Sequence, residues 1–239
     1  MSKTAIVTGA SSGIGLAIAR ALLENDYRVV ATSRRISQGR ELRPSPRLVL
    51  VDGDVGARAT AERVVEAAVS SFGGLDLLVN NAGIFLSKPF TEYTASDYDQ
   101  LLSTNLSGFF HMTQLALGVM DRVEHGHVVN IGTSLSQQPV AGVPSALPIL
   151  IKGGIEAATR SLAIEYAPRR IRVNTIAAGV IDTPMHAPEQ HDALRHLSPT
   201  GRLGTAAEVA DAVLFLERAG FVSGEILHVD GGAHAGKWA

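Results

Sequence analysis

The residues with the clearest chemical reading are three glycines in a short run, Thr8-Gly9-Ala10-Ser11-Ser12-Gly13-Ile14-Gly15. The run follows a short apolar stretch and opens a segment with helical spacing. Without a Cβ, the backbone at Gly9, Gly13 and Gly15 can turn tightly and let a pyrophosphate approach it. The helix that starts at Ile14 then offers free N–H groups and the positive end of its dipole. Strand-to-helix turns use glycine for other reasons too, but a second strand twenty-odd residues later supplies the context of a dinucleotide cradle. Ser11 and Ser12 add hydroxyls that can bond a phosphate. The next apolar run ends in Ser33-Arg34-Arg35. An acidic residue at that place bonds the adenosine ribose hydroxyls of NAD. Serine followed by arginine suits a 2′-phosphate instead, because a carboxylate repels that group and a guanidinium pairs with it bidentately. The residues therefore favour NADP(H) over NAD(H). The alternative is that the two arginines merely solvate a turn.

Such a cradle needs strands and helices to hold it. Apolar runs fit buried strands at Thr4–Thr8, Arg28–Thr32, Leu48–Val51, Leu75–Asn80, His127–Ile131, Arg172–Ile176 and Glu225–Val229. Helical spacing covers Ile14–Glu24, Ala57–Ser71, Ser96–Met120, Ile149–Tyr166 and Ala206–Glu217. This alternation predicts right-handed βαβ units, hence an α/β fold with a mainly parallel sheet and helices on both faces. No repeat or composition break divides the chain, so residues 1–239 are expected to form one domain. Arg34–Pro46 reads as a solvated loop. Pro184–Gly204, with three prolines and three histidines, is either a lid over a substrate or a mobile surface insertion.

The glycine turn resembles the cofactor turn of the short-chain dehydrogenase/reductase family. Asn80-Asn81-Ala82-Gly83 is similar to that family's second signature, and Asp54-Val55 to its adenine-contacting pair. Asn105-Leu106, Ile171-Arg172-Val173-Asn174 and Val229-Asp230-Gly231-Gly232 also fit, so the resemblance runs from residue 4 to residue 232. It implies a Rossmann-like, doubly wound, seven-stranded sheet and hydride transfer between a nicotinamide and a carbonyl or alcohol. By the same resemblance, Gly179, Ile181 and Thr183 belong to the segment that lines the nicotinamide carboxamide. It also implies homodimers or homotetramers packed through the helices Ser96–Met120 and Ile149–Tyr166. Their apolar residues could equally be core faces.

The family's chemistry uses a tyrosine as acid or base, a lysine four residues later, a serine that orients the substrate oxygen, and an asparagine on a water-linked proton path. Lys152 matches the lysine and Asn105 the asparagine. Four residues before Lys152, however, stands Pro148, and no tyrosine lies between Tyr98 and Tyr166. Thr133 and Ser134 precede Pro148 by 15 and 14 residues, where the family more often spaces its serine by about 13. Either hydroxyl could orient a substrate oxygen, or each could only cap nearby backbone. Asn105 could instead bond inside a bent helix, and Lys152 could serve only as a ribose ligand. Ser145 and His186 are substitute proton donors to weigh, a lone loop histidine being more often just solvated. Ala177-Ala178-Gly179 departs from the family's Pro-Gly.

The composition narrows the remaining classes. Of the 239 residues, 46% are hydrophobic and 18% charged, which suits a packed globule rather than a disordered chain. Zero cysteines excludes disulfides, thiolate nucleophiles and cysteine-bound metals, and no metal site is expected. A net charge of −2 without a basic block gives no support to nucleic-acid binding. No apolar run reaches the roughly 18–20 residues of a membrane span, and the N-terminus shows no secretory leader. The expectation is a cytoplasmic protein acting on a small-molecule substrate. Two functions remain open: an oxidoreductase with an altered proton-transfer site, or an NADP(H)-binding sensor that turns nothing over.

Overall fold

Runs of Val, Ile, Leu and Ala a few residues long can be buried on both sides only inside a parallel sheet covered by helices. The computed structural model describes residues 2–123 and 125–236. Its strands are β1 (Thr4–Thr8), β2 (Arg28–Ser33), β3 (Leu48–Asp52), β4 (Leu77–Asn80), β5 (Gly126–Ile131), β6 (Ile171–Ala178), β7 (Ile181–Asp182), β8 (Gly204–Thr205) and β9 (Ile226–Val229). The helices are α1 (Gly13–Glu24), α2 (Arg58–Phe72), α3 (Ala95–Leu101), α4 (Gly108–Val123), α5 (Ala146–Glu165), α6 (His191–Leu194) and α7 (Ala206–Arg218). Seven strands form one Rossmann-like sheet in the order β3-β2-β1-β4-β5-β6-β9, and every neighbouring pair is parallel.

Successive strand residues point to opposite faces, and the core divides accordingly. Ala5, Val7, Val29, Ala31, Leu77 and Val79 pack under α1 and α7, against Ile18, Leu22, Val209 and Leu216. Ile6, Val30, Leu78 and Val128 face the other way, against Val64 and Ala68 of α2 and Met112 and Met120 of α4. Each of the Val, Leu, Ile and Met side chains contributes about 1.5–3 kcal/mol by leaving water. The strand order turns back on itself between β1 and β4. The chain leaves those two strands in opposite lateral directions, which opens a crevice beyond their carboxyl ends, where ligands of open α/β sheets sit.

Element edges differ from the sequence reading where tertiary contacts intervene. The helix expected over Ser96–Met120 is three pieces: α3, a π-helical turn at Leu102–Ser107, and α4. Val55 packs so closely on Gly108 that a Cβ there would lie 2.9 Å from its Cγ1. Helix α5 begins at Ala146 rather than Ile149 and so takes Pro148 into its first turn, where a missing N–H leaves no bond unmade. Within Arg34–Pro46 the chain is not wholly solvated, since Ile36 and Leu42 are buried in the core. The segment Pro184–Gly204 is not structureless. It folds into short helical turns, α6 among them, and is held at its base by β7 pairing with β8.

Candidate active-site cleft

The glycine turn closes on β4 through a hydroxyl. Thr8 Oγ1 accepts from the backbone N–H groups of Asn81 (3.0 Å) and Ala82 (2.9 Å), while Asn81 Nδ2 donates to the Thr8 carbonyl at 2.8 Å. These bonds draw the loop after β4 onto the loop after β1 so tightly that side chains cannot intervene. A Cβ on Gly9, whose φ is +66°, would lie 2.9 Å from Ala82 Cα. One on Gly15 would lie 2.4 Å from Asn81 Nδ2 and the Gly9 carbonyl oxygen. Gly13, at φ +54°, abuts Thr183. Ser12 takes the N-cap position of α1 without using its side chain there, which leaves the hydroxyl free alongside the helix N-terminus. Ser11 is exposed beside it.

From this turn a cleft of about 1380 Å³, including its open mouth, runs along the carboxyl edge of the sheet. Ser12, Gly13, Ile14 and Asn81–Gly83 form one end, and Gly132–Ser134, Lys152, Gly179, Ile181 and Thr183 form the middle. Phe85, Leu135, Val143, Met185 and Leu197 form an apolar far end. The structure thus brings most of the sequence-selected residues to one wall-to-wall space. Ser33, Arg34, Arg35 and Asp54 stand outside it, beyond the phosphate turn. Arg34 and Arg35 are exposed and make no ion pair with any described residue. Asp54 caps its own turn, accepting from Gly56 N–H at 2.9 Å, and Val55 lines a smaller chamber behind the cleft.

Asn105 lies in the π-helical turn, almost fully buried. Its Oδ1 accepts from Ile84 N–H at 2.8 Å and its Nδ2 donates to the Ile84 carbonyl at 2.9 Å. The side chain therefore bonds across to the cleft wall rather than within its own helix. Lys152 faces both the cleft and the chamber, and Nζ donates to the Gly132 carbonyl at 3.3 Å. Burial lowers its pKa to about 8, with the Glu156 carboxylate one turn later pulling the other way. The two candidate hydroxyls differ. Thr133 Oγ1 caps the following turn by accepting from Leu135 N–H, whereas no described residue bonds the Ser134 hydroxyl at the cleft wall. Pro148 is buried in α5 and contributes nothing to the cleft lining. Ser145 is also buried, and donates to the Val143 carbonyl at 3.0 Å. Among the described residues no cluster of three or more His, Asp or Glu could hold a metal ion, and no helix is long and apolar enough to cross a membrane.

The sequence matches the family model described as Enoyl-(Acyl carrier protein) reductase over residues 9–234. The chain belongs to the short-chain dehydrogenase/reductase family. It is 35% identical to the 3-oxoacyl-(acyl-carrier-protein) reductase FabG of Vibrio cholerae, with 97% of each chain covered. It is 34% identical to 3beta-hydroxysteroid dehydrogenase 1 of Eggerthella lenta, covering 96% of this chain and 93% of the relative. Among solved structures, ElxO with NADP bound superposes with a TM-score of 0.88 at 31% identity, over 99% of this chain and 100% of that one. A variant of ElxO with NADPH bound matches equally well.

Two site residues of this short-chain dehydrogenase/reductase escaped the sequence reading. Thr8 looked like the last residue of a strand, and only the closure of two loops makes it the clasp between them. Glu156 looked like one more polar position on α5, yet it is buried behind Lys152, bonded by the Ser136 hydroxyl and by Gln137 Nε2. Its spacing of four from Lys152 was the available signal.

Proposed function

We propose that the chain is an NADP(H)-dependent oxidoreductase whose proton-transfer site is altered. Its substrate is a neutral, largely apolar carbonyl compound, alcohol, or activated C=N or C=C. One observation carries this reading: a single cleft joins a Cβ-free phosphate cradle to Lys152 and an unbonded Ser134 hydroxyl, and no tyrosine stands between them.

The residues fit the dinucleotide. Gly9, Ser11, Ser12, Gly13, Ile14 and Gly15 hold the pyrophosphate; a Cβ on Gly9 or Gly15 would collide with the Asn81–Ala82 segment or the Gly9 carbonyl and distort the turn that presents these groups. Ser33, Arg34 and Arg35 take the 2′-phosphate, for which the two unpaired guanidinium groups supply the charge. Asp54 and Val55 flank the adenine. Asn81, Ala82 and Gly83 line the middle of the nucleotide, and Gly179, Ile181 and Thr183 its nicotinamide end. The bound cofactor supplies or accepts a hydride. Lys152 holds the nicotinamide ribose with an ammonium that only half survives at about pH 8. Ser134 orients the substrate oxygen, and Thr133 holds the turn that presents it. Asn105 keeps the Ile84 wall in place. The far end of the cleft, formed by Phe85, Leu135, Val143, Met185 and Leu197, excludes water and favours apolar substrates. Residues 184–204 act as the lid of this one-domain protein.

A second reading, a sensor that binds NADP(H) without turnover, is favoured by Pro148. Fluorescence titration with NADPH, followed by NADPH oxidation against a panel of neutral ketones, separates the two. Tight binding with turnover supports the oxidoreductase, while tight binding with none overturns it. We further infer a homodimer or homotetramer, because Leu106, Phe110, Leu150 and Ile164 leave apolar surface exposed along the two helices that carry Asn105 and Lys152. Sedimentation equilibrium reports the mass directly, and a monomer at micromolar concentration removes this inference.

A further inference from the structure

Of the described side chains that line the cleft, only two are ionisable: Lys152 and His186. Lys152 sits on the helix side, buried, and already donates to the Gly132 carbonyl. His186 lines the cleft from a tight turn at the start of residues 184–204, where its backbone N–H bonds the Thr183 carbonyl at 2.9 Å. Thr183 in turn lies against Gly13 of the phosphate loop, so this turn belongs to the nucleotide end of the lid. The ring is oriented. His186 Nδ1 lies 2.9 Å from the Ile181 carbonyl oxygen. A carbonyl only accepts, so Nδ1 carries a hydrogen and Nε2 is the nitrogen that gains and loses a proton. No described residue bonds Nε2. A half-buried imidazole held by one nitrogen, with the other free in a cleft, is the arrangement of a general acid or base. It occurs in a chain whose expected acid position is Pro148.

We propose that His186 is the catalytic acid of ketone reduction here, and the base in the reverse direction. This rests on the oxidoreductase reading above. In the step, hydride adds to the carbonyl carbon and a C–H bond forms. The C=O π pair takes the proton from Nε2 of the His186 imidazolium and an O–H bond forms. The imidazole left behind takes a new proton from water at the cleft mouth, and the nicotinamide cofactor is the reductant. Beside His186 in the chain, Asp182 and His191 lie 3.6 Å apart, and Glu189, Asp192, Arg195 and His196 belong to the same segment; Lys152, with Glu156 one turn later, also lines the cleft.

The test is His186→Asn, whose amide Nδ2 takes the place of Nδ1 and can still donate to the Ile181 carbonyl. With an aryl ketone such as acetophenone, kcat should fall by about 10²- to 10⁴-fold. The decline of rate with rising pH through neutrality should vanish, and the NADPH dissociation constant should stay within about threefold. Added imidazole should restore part of the rate to His186→Ala. A readout independent of turnover is ¹⁵N-histidine NMR of the wild-type protein without cofactor. His186 should show the Nδ1–H tautomer, and its resonance should move when 1-phenylethanol is added. A variant that keeps kcat and its pH profile, or a His186 signal that ignores the alcohol, overturns the role and leaves the oxidoreductase standing. A wild-type protein that binds NADPH but reduces nothing takes both down.

Discussion

At the scale of single residues, Pro148 decides most. Its ring has no proton to give, and its place in the first turn of α5 means the fold tolerates it without loss. A phenol there must find room at a buried position, at a cost of about 1–3 kcal/mol. Introduced into a His186→Asn background, which lacks the proposed acid, Pro148→Tyr is expected to raise ketone reduction by about 10²- to 10⁴-fold, measured as NADPH oxidation under saturating ketone. A variant that folds, binds NADPH and shows no gain would mean that Lys152 and Ser134 are not placed to use a phenol. Arg34 is the residue we propose selects the cofactor. It is exposed and unpaired, so its charge is available to a 2′-phosphate. Arg34→Glu should weaken NADPH binding by roughly ten- to a hundredfold, the worth of a charge-assisted hydrogen bond, and leave NADH nearly unchanged. Equal losses for both dinucleotides in calorimetry would contradict the assignment.

At the scale of elements, the π-helical turn between α3 and α4 is the piece on which the cleft wall depends. It aims Asn105 at both backbone groups of Ile84 at once, and Ile84 belongs to the wall beyond β4. π-turns inside α-helices often mark functional sites. Truncation by Asn105→Ala would leave the part-buried N–H and C=O of Ile84 without their partner, at about 1–3 kcal/mol. The melting temperature should drop by several degrees, since about 2–4 °C accompanies each kcal/mol in a chain of this size. The same wall should also admit substrate less productively, so kcat should fall along with stability. An unchanged melting curve would mean that water replaces both bonds.

At the scale of the whole molecule, the end of the sheet opposite the cleft is locked by a buried ionic cluster. Glu217 of α7 accepts from Tyr27 Oη at 2.5 Å and from Lys3 Nζ at 3.1 Å, and takes a hydrogen bond from His127 Nδ1 at 2.8 Å. His127 Nε2 accepts from Asn174 Nδ2 at 2.9 Å. Burial, with Arg172 beside it, pushes His127 below its ordinary pKa, while the bond to Glu217 pulls the other way. Burial alone would raise the Glu217 pKa. The bond and charge of His127, the bond from Tyr27 and the charge of Lys3 outweigh that and hold it at about 2. A folded pKa below the unfolded value gives stability that is present above about pH 4.5 and is lost as pH falls towards about 2. Glu217→Gln should flatten the acid limb of stability over that window. It should also destabilise the protein at pH 7 by about 3 kcal/mol, because the surrounding cations lose their partner. Urea melts at pH 3 and pH 7 measure both effects.

Local chemistry was legible in the chain itself. Gly9, Gly13 and Gly15 announce a backbone that must come close to something, and alternating apolar runs announce a parallel sheet, because both follow from sterics and burial within a few residues. The absence of a tyrosine near Lys152 is likewise a fact of the chain. The sequence could not show that Thr8 clasps the loops after β1 and β4, that Asn105 bonds across to Ile84, or that Glu156 stands behind Lys152. Nor could it distinguish Thr133, spent on a cap, from Ser134, whose hydroxyl is free. Each of these depends on which residues distant in the chain arrive within 3 Å of one another. That is settled by how two faces of helices pack on a sheet whose order reverses between β1 and β4, and no local pattern encodes it.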